Sequence, residues 1–387
     1  MKVLNIHEVG DVRLDDYVLP EAGPKDVVVK MKAVGICGSD LSYIKMGGIM
    51  RQPGGVTPIG HEGAGEVLRV GSEVSGIAVG DPVIINPMNT PSNVGSGGPE
   101  GAFVDQLLVR EARLGDSILP IPAGVSYEVA AMCEPLAVAL HGVNRAEVKA
   151  GDKVVVFGCG PIGLGMILWL VDRGVTDVIA FDLAQERLDR AMALGARAAF
   201  DPTKVDLYET LGELHGKEMC MHKPAVGTDA FIDAAGAPSI PTDVINVCKF
   251  QSRLVVTAVY YKPVEIPLGT MLTSEMTITT AVGYPTEMPE VVASMARLKD
   301  KIATMISHRL GLAVAGPDQI GEGRCLILNF AHASASSNWI MTLADSGVPA
   351  IFSPSSTRSN GRRWLIIVAI LSFSRAIEAT TSGISVG

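Results

Sequence analysis

KVVVFGCGPIGLGMILWLVDRGVTDVIAFD, residues 153–182, decides the fold. KVVVF reads as a buried strand, PIGLGMILWLVDRG as a helix and DVIAFD as a second strand. Between the first strand and the helix stands GCGPIG, a G-x-G-x-x-G at residues 158–163. Alone that pattern says little; between a strand and a helix it is a dinucleotide-binding turn. Gly158 permits the tight turn, Gly160 lets a pyrophosphate approach the backbone, and Gly163 lets helix and strand pack closely. Pro161 and Ile162 complete the loop, and the helix N-terminus offers N–H groups and partial positive charge to phosphate. Asp182 lies nineteen residues beyond Gly163, at the end of the second strand. A carboxylate there accepts from the adenosine ribose hydroxyls and repels a 2′-phosphate, which favours NAD over NADP. Arg187, placed over the adenosine end, pulls the other way. The alternative is a glycine-rich turn that holds no nucleotide.

Outward from this unit the alternation continues. AQERLDRAMALG reads as a helix, and GTDAFIDAAG (227–236) and RLVVTAV (253–259) as further strands. Strands alternating with helices predict a parallel, doubly wound α/β sheet covered on both faces. The first 150 residues are different: DVVVKMKAVG (26–35), AGEVLRVG (64–71) and DPVIINP (81–87) are β-rich runs punctuated by Gly and Pro. NTPSNVGSGGPEG (89–101) reads as a loop, and YEVAAMCEPLAVALHGVNRA (127–146) as one helix despite Pro135.

The chain has 387 residues and a net charge of −9 with no lysine or arginine run, which excludes a nucleic-acid or anionic-membrane surface. Its six cysteines are scattered without a CxxC pair and point to a reducing, cytoplasmic setting. MKVLNIHEVGDVRLDD has no apolar core of a signal peptide, and the longest apolar run, WLIIVAILSF (364–373), is too short to span a bilayer.

In the β-rich half, GICGSD (35–40) sets Cys37 in a bare turn, and IGHEGAGE (59–66) sets His61 beside Glu62. With Glu134 they form a thiolate, imidazole and carboxylate set of the kind catalytic zinc takes while keeping a position open. Each has a plainer reading: core filler for Cys37, a satisfied polar residue for His61, a helix-start acid for Glu134. Spacing alone does not say whether positions 37, 61 and 134 meet.

GHEGAGEVLRVGSEVSGIAVGDPV (60–83) closely resembles the zinc signature of the medium-chain alcohol and polyol dehydrogenases, the sorbitol, threonine and butanediol branch included. GICGSD resembles the segment that supplies their first ligand, and CEPLAVALHG (133–142) the segment carrying a glutamate at a further metal-site position. The resemblance covers residues 1 to about 309 and implies a GroES-like catalytic domain (1–148), a Rossmann NAD-binding domain (149–285) and a return to the catalytic domain (286–310). It makes Cys37, His61 and Glu134 metal-site positions, with Glu62 a direct or exchangeable ligand and Cys133 none. Asp40 would orient His61. Ser39 would take the alcohol proton and pass it on through the cofactor ribose, its plainer role being a turn hydroxyl. The four closely spaced cysteines of the family's structural zinc are missing near 89–101, so one zinc per subunit is expected. The histidine that relays protons in ethanol-type relatives is Ser42 here, with Tyr43 the nearest substitute. The loop AVGY (281–284) would line the nicotinamide end.

The expected activity is hydride transfer from a secondary alcohol, diol or polyol to NAD, giving a ketone, by a homo-oligomer, dimer or tetramer. A zinc-free reductase on the same scaffold and a catalytically silent NAD-binding regulatory protein are the rivals. Past Leu310 the pattern is lost and no lysine follows Lys301. Residues 311–387 read as a shifted reading frame or replaced terminus, poorly packed or disordered, or else as a genuine extension.

Overall fold

The computed structural model describes residues 1–50, 55–311 and 325–328. Six strands form one wholly parallel sheet in the order Ala198–Phe200, Asp177–Phe181, Lys153–Phe157, Ala230–Asp233, Arg253–Val256, Thr277–Thr280. The chain starts in the middle, winds outward one way, then crosses to wind the other. The reversal lies between Lys153–Phe157 and Ala230–Asp233, and the glycine turn follows the first of these. Side chains at Val154, Val155 and Val156 are all buried, as both faces of a helix-covered sheet require. The strand Thr277–Thr280 and the hairpin pairing Lys217–Cys220 with Lys223–Val226 were not legible in the sequence.

The β-rich half is built around the long strand Val27–Ile36, paired antiparallel with Glu62–Val70. Their register sets Gly35 opposite Glu62 and Val34 opposite Gly63. Continuing it one step brings the chain leaving Ile36 beside the chain arriving at Glu62. That geometry joins positions 37 and 61, which their spacing alone left open. The loop over 89–101 is a loop as expected, but a packed one: it closes on itself through Gly95 N–H to Glu100 O at 2.7 Å. Just beyond it, Ala102 N–H bonds Gly60 O at 2.8 Å, next to His61.

Three local readings are corrected. GICGSD is not a bare turn: Cys37 is the N-cap of a helix, Gly38–Met46. Asp40 accounts for it, because its Oδ2 accepts from Cys37 N–H at 2.9 Å, the acid half of a capping box. Residues 127–146 are not one helix but two, Tyr127–Ala131 and Cys133–Ala146, with Met132 between. Pro135 has no N–H to give Ala131, so the helix restarts and carries the proline in its first turn, where no intrahelical donor is needed. Past Leu310, where no regular element was expected, Cys325–Leu328 pairs with His308–Gly311 and runs parallel to the end of Val27–Ile36. The rest of the tail reading lies outside the described residues.

One continuous core joins the halves. Ala64 and Ile84 of the β-rich sheet share it with Val154 and Ile232 of the parallel sheet, through helices Cys133–Ala146, Pro161–Asp172 and Met288–Met305. Trp169 is its largest member and donates Nε1–H to Leu136 O at 2.9 Å. The helix Cys133–Ala146 thus starts at a fixed place between the sheets, and Glu134 with it.

Candidate metal and dinucleotide site

Cys37, His61 and Glu62 each present a donor atom, and these atoms lie within 4.8 Å of one another. Asp40 organises them through the backbone. Its second oxygen, Oδ1, accepts from Gly60 N–H at 3.2 Å, so one carboxylate ties the Cys37 segment to the His61 segment. The same Oδ1 stands 3.5 Å from His61 Nδ1, an ion-pair distance. Asp40 thus has a backbone role that the sequence did not show. Ser39 Oγ lies 3.4 Å from His61 Nε2.

Glu134 is buried beside this trio without belonging to it. The residue next to its carboxylate is Tyr284, buried at the end of the AVGY loop. Sequence placed that loop towards the nicotinamide and missed its contact with the acid; the aromatic residue closing a short apolar segment was the available signal. Cys133 is fully buried and outside the trio, in keeping with its exclusion as a ligand.

The electrostatics are set by burial and by the groups' effects on one another. Burial pushes the Glu62 carboxyl up to about 8, Glu134 adds to this, and His61 opposes it. Burial also raises Glu134, against the pull of His61 and Tyr284, and raises the Cys37 thiol, against His61. For His61 burial lowers the pKa, but Asp40 and Cys37 beside it outweigh that and hold it well above its usual value. His61 Nδ1 and Glu62 Oε2 are buried with no hydrogen-bond partner. An orphaned buried polar atom costs ~1–3 kcal/mol; Nδ1 faces the Asp40 carboxylate, so Glu62 Oε2 is the atom of the trio left to bind something. Thiolate, imidazole and carboxylate together fit a borderline-soft divalent ion such as zinc.

The glycine turn is equally specific. Gly158 has φ +90°, and a Cβ there would meet the backbone of Ala234 and Ala235 at 2.9 Å. A Cβ at Gly163 would stand 1.7 Å from Gly158 O. At Gly160, the N-cap of Pro161–Asp172, a Cβ would meet nothing within 4 Å, so the backbone is bare on that side. Pro161 and Ile162 open the helix, as read. Asp182 Oδ2 accepts from Cys159 N–H at 2.7 Å and Oδ1 from Ala184 N–H at 2.9 Å. The acid therefore also fastens the glycine turn to the neighbouring strand end. Arg187 Nη1 is 3.5 Å from Asp182, and its Nε is buried without a hydrogen-bond partner.

At the relay position the structure shows further contacts. Tyr43 packs on the core of the β-rich half, and Ser42 Oγ shares a hydrogen bond with Tyr261 on the loop after Arg253–Val256.

Residues 23–115 match the family model described as an alcohol dehydrogenase GroES-like domain, and residues 161–297 the one described as a zinc-binding dehydrogenase. The chain is 32% identical to (R,R)-butanediol dehydrogenase of Bacillus subtilis over 317 residues, 76% of this chain and 88% of that one. It is 30% identical to sorbitol dehydrogenase of Rattus norvegicus over 330 residues, 81% of this chain and 90% of that one. The crystal structure of the Bacillus subtilis 2R,3R-butanediol dehydrogenase superposes with a TM-score of 0.68 at 31% identity, covering 78% of this chain and 90% of that one. With both halves matched in order along the chain, the chain belongs to the zinc-binding alcohol dehydrogenase family, GroES-like half and Rossmann half together.

Proposed function

We infer that the protein oxidises a secondary alcohol, diol or polyol to a ketone with NAD as hydride acceptor. The observation that carries this is the Cys37, His61 and Glu62 trio, with the orphaned buried Oε2 of Glu62, in a chain that also carries a dinucleotide turn. The names of the relatives, a butanediol and a sorbitol dehydrogenase, support the substrate class.

Cys37, His61 and Glu62 would hold a single zinc ion, with Glu134 the carboxylate in reserve. When bound, zinc supplies Lewis-acid lowering of an alcohol's pKa, and NAD supplies the hydride acceptor. The chain's own residues do the rest. Ser39, beside His61 Nε2, would accept the alcohol proton while giving up its own towards the cofactor ribose. Asp40 holds the Cys37 and Gly60 backbones together. Gly158, Gly160, Pro161, Ile162 and Gly163 seat the pyrophosphate, and Asp182 favours NAD while Arg187 rests against it. With no cysteine over 89–101, a structural zinc of four cysteines is not expected there.

The same reading divides the chain into a catalytic half (1–148), a nucleotide half (149–285) and a return segment (286–310), with 311–387 set apart. It makes the protein a cytoplasmic homo-oligomer acting on small molecules. No helix among the described residues is long and apolar enough to cross a membrane.

The test is a panel of diols, polyols and hydroxy-amino acids followed by NADH absorbance, with metal content measured in parallel. Turnover of at least one diol or polyol by zinc-loaded protein is expected. NAD binding with no turnover across the panel would contradict the reading.

A further inference from the structure

The geometry points to Gly35 as a positioning residue for the Glu62 carboxylate. Gly35 and Glu62 are ladder partners in the antiparallel pair of Val27–Ile36 and Glu62–Val70. The Glu62 side chain folds back across that pairing and lies over its partner's Cα. A Cβ built on Gly35 would stand 1.9 Å from Glu62 Oε2, 2.9 Å from Cδ and 3.0 Å from Glu62 Cβ. Any side chain at position 35 therefore claims the volume that the carboxylate now fills. Gly35 has no left-handed backbone to accommodate, so its lack of a side chain, and not conformational freedom, is what the site uses.

The displaced acid has few other places to go. Glu62 is 2% exposed, its Oε2 has no hydrogen-bond partner, and Glu134 raises the cost of charge on it. Burying a carboxylate with one oxygen left unpartnered costs free energy. Here a glycine opposite it keeps the space open and sets one of its oxygens within 4.8 Å of the Cys37 sulfur and the His61 imidazole. Gly35 is also two residues before Cys37, which caps the helix that follows the strand, so one stretch of chain supplies a donor and the space that seats the next. The inference rests on Glu62 being a metal ligand, as proposed above.

The test is a double-mutant cycle on zinc affinity, by chelator competition, and on the melting temperature of the metal-free protein, for the wild type, Gly35→Ala, Glu62→Ala and Gly35→Ala/Glu62→Ala. Gly35→Ala is expected to weaken zinc binding by about 10- to 100-fold, the range seen when groups that orient a ligand are lost. It should also lower the metal-free melting temperature. Glu62→Ala should weaken zinc binding as well, but the double variant should bind no worse than Glu62→Ala alone. Its melting temperature should recover above that of Gly35→Ala, because the new methyl enters the space the carboxylate leaves. A Gly35→Ala protein that does not fold beside a double variant that does is the same result in stronger form. Losses that simply add, or a double variant that also fails to fold, would overturn the proposal while leaving Glu62 as a ligand. Unchanged zinc affinity in Glu62→Ala would overturn both readings.

Discussion

Ser42 Oγ and Tyr261 Oη lie 2.5 Å apart, although 219 residues separate them in the chain. Ser42 belongs to the helix Gly38–Met46 that also carries Ser39 and Asp40, and Tyr261 to the loop that leaves the parallel sheet after Arg253–Val256. The preceding residue, Tyr260, points the other way and donates its hydroxyl to Asp233 at 2.6 Å. Asp233 in turn accepts from Ala235 N–H and Gly236 N–H, each at 2.9 Å, in the turn that lies against Gly158. Two adjacent tyrosines thus connect the nucleotide turn to the helix of the metal site.

Tyr261→Phe and Ser42→Ala should each weaken NADH retention by the loss of one hydrogen bond, about 0.5–1.5 kcal/mol or roughly two- to tenfold. The double variant should cost no more than either single one. Stopped-flow release of NADH measures this, and additive losses would show that the two hydroxyls act separately.

Gly160 and Gly163 should separate folding from cofactor binding. Gly163→Ala forces a methyl onto Gly158 O, a backbone atom, and should lower both the melting temperature and NADH affinity. Gly160→Ala meets no protein atom within 4 Å, so its melting temperature should hold while NADH affinity falls. Thermal melts beside fluorescence titration check the pair; equal NADH affinity in Gly160→Ala and wild type would remove the pyrophosphate from that face.

Asp182→Ala should raise the affinity for NADP relative to NAD. It removes the acid that repels a 2′-phosphate and leaves Arg187 free to meet one. A charge-assisted hydrogen bond is worth about 1.5–3 kcal/mol, so the ratio should move about tenfold or more. It should also loosen the turn, because Cys159 N–H loses its acceptor. An unchanged ratio in paired titrations would mean that the acid does not read the ribose.

Metal loading should release protons. In the metal-free protein Glu62 is raised from 4.5 to about 8 by burial and Glu134, and His61 and Cys37 are raised as well. Groups raised in the folded state hold protons that the unfolded chain has lost. The Glu62 contribution to metal-free stability is therefore present at low pH and fades as pH rises from about 4.5 through 8, and those of His61 and Cys37 fade at higher pH. Zinc needs the deprotonated donors, so its affinity should climb with pH, with about three protons released per ion at pH 7, one from each donor. A weakly buffered titration reads the protons directly, and zinc uptake with no release would contradict these shifts.

The sequence was most legible where a few neighbouring residues fix the geometry. KVVVF, GCGPIG and Asp182 report a strand, a turn and an acid whose meaning is local, and the structure sets them as read. Cys37, His61 and Glu62 were visible as a chemical set but not as a place, because their meeting depends on the register of two strands, Gly35 against Glu62. The second role of Asp40, towards Gly60 N–H, depends on that same register. The Met132 break was missed because composition spoke for helix throughout, while a single absent N–H at Pro135 decides where the helix restarts. Tyr284 beside Glu134 and Tyr261 beside Ser42 are products of loop paths, which no periodicity encodes.

The central claim is that a zinc ion held by Cys37, His61 and Glu62 is required for NAD-dependent alcohol oxidation. Its most direct test is the rate of NADH formation from a responsive alcohol before chelation, after removal of metal to a verified zero, and after return of one equivalent of zinc. Loss of activity on removal and recovery at one zinc per chain is the expected result; full activity in the verified metal-free protein would contradict it.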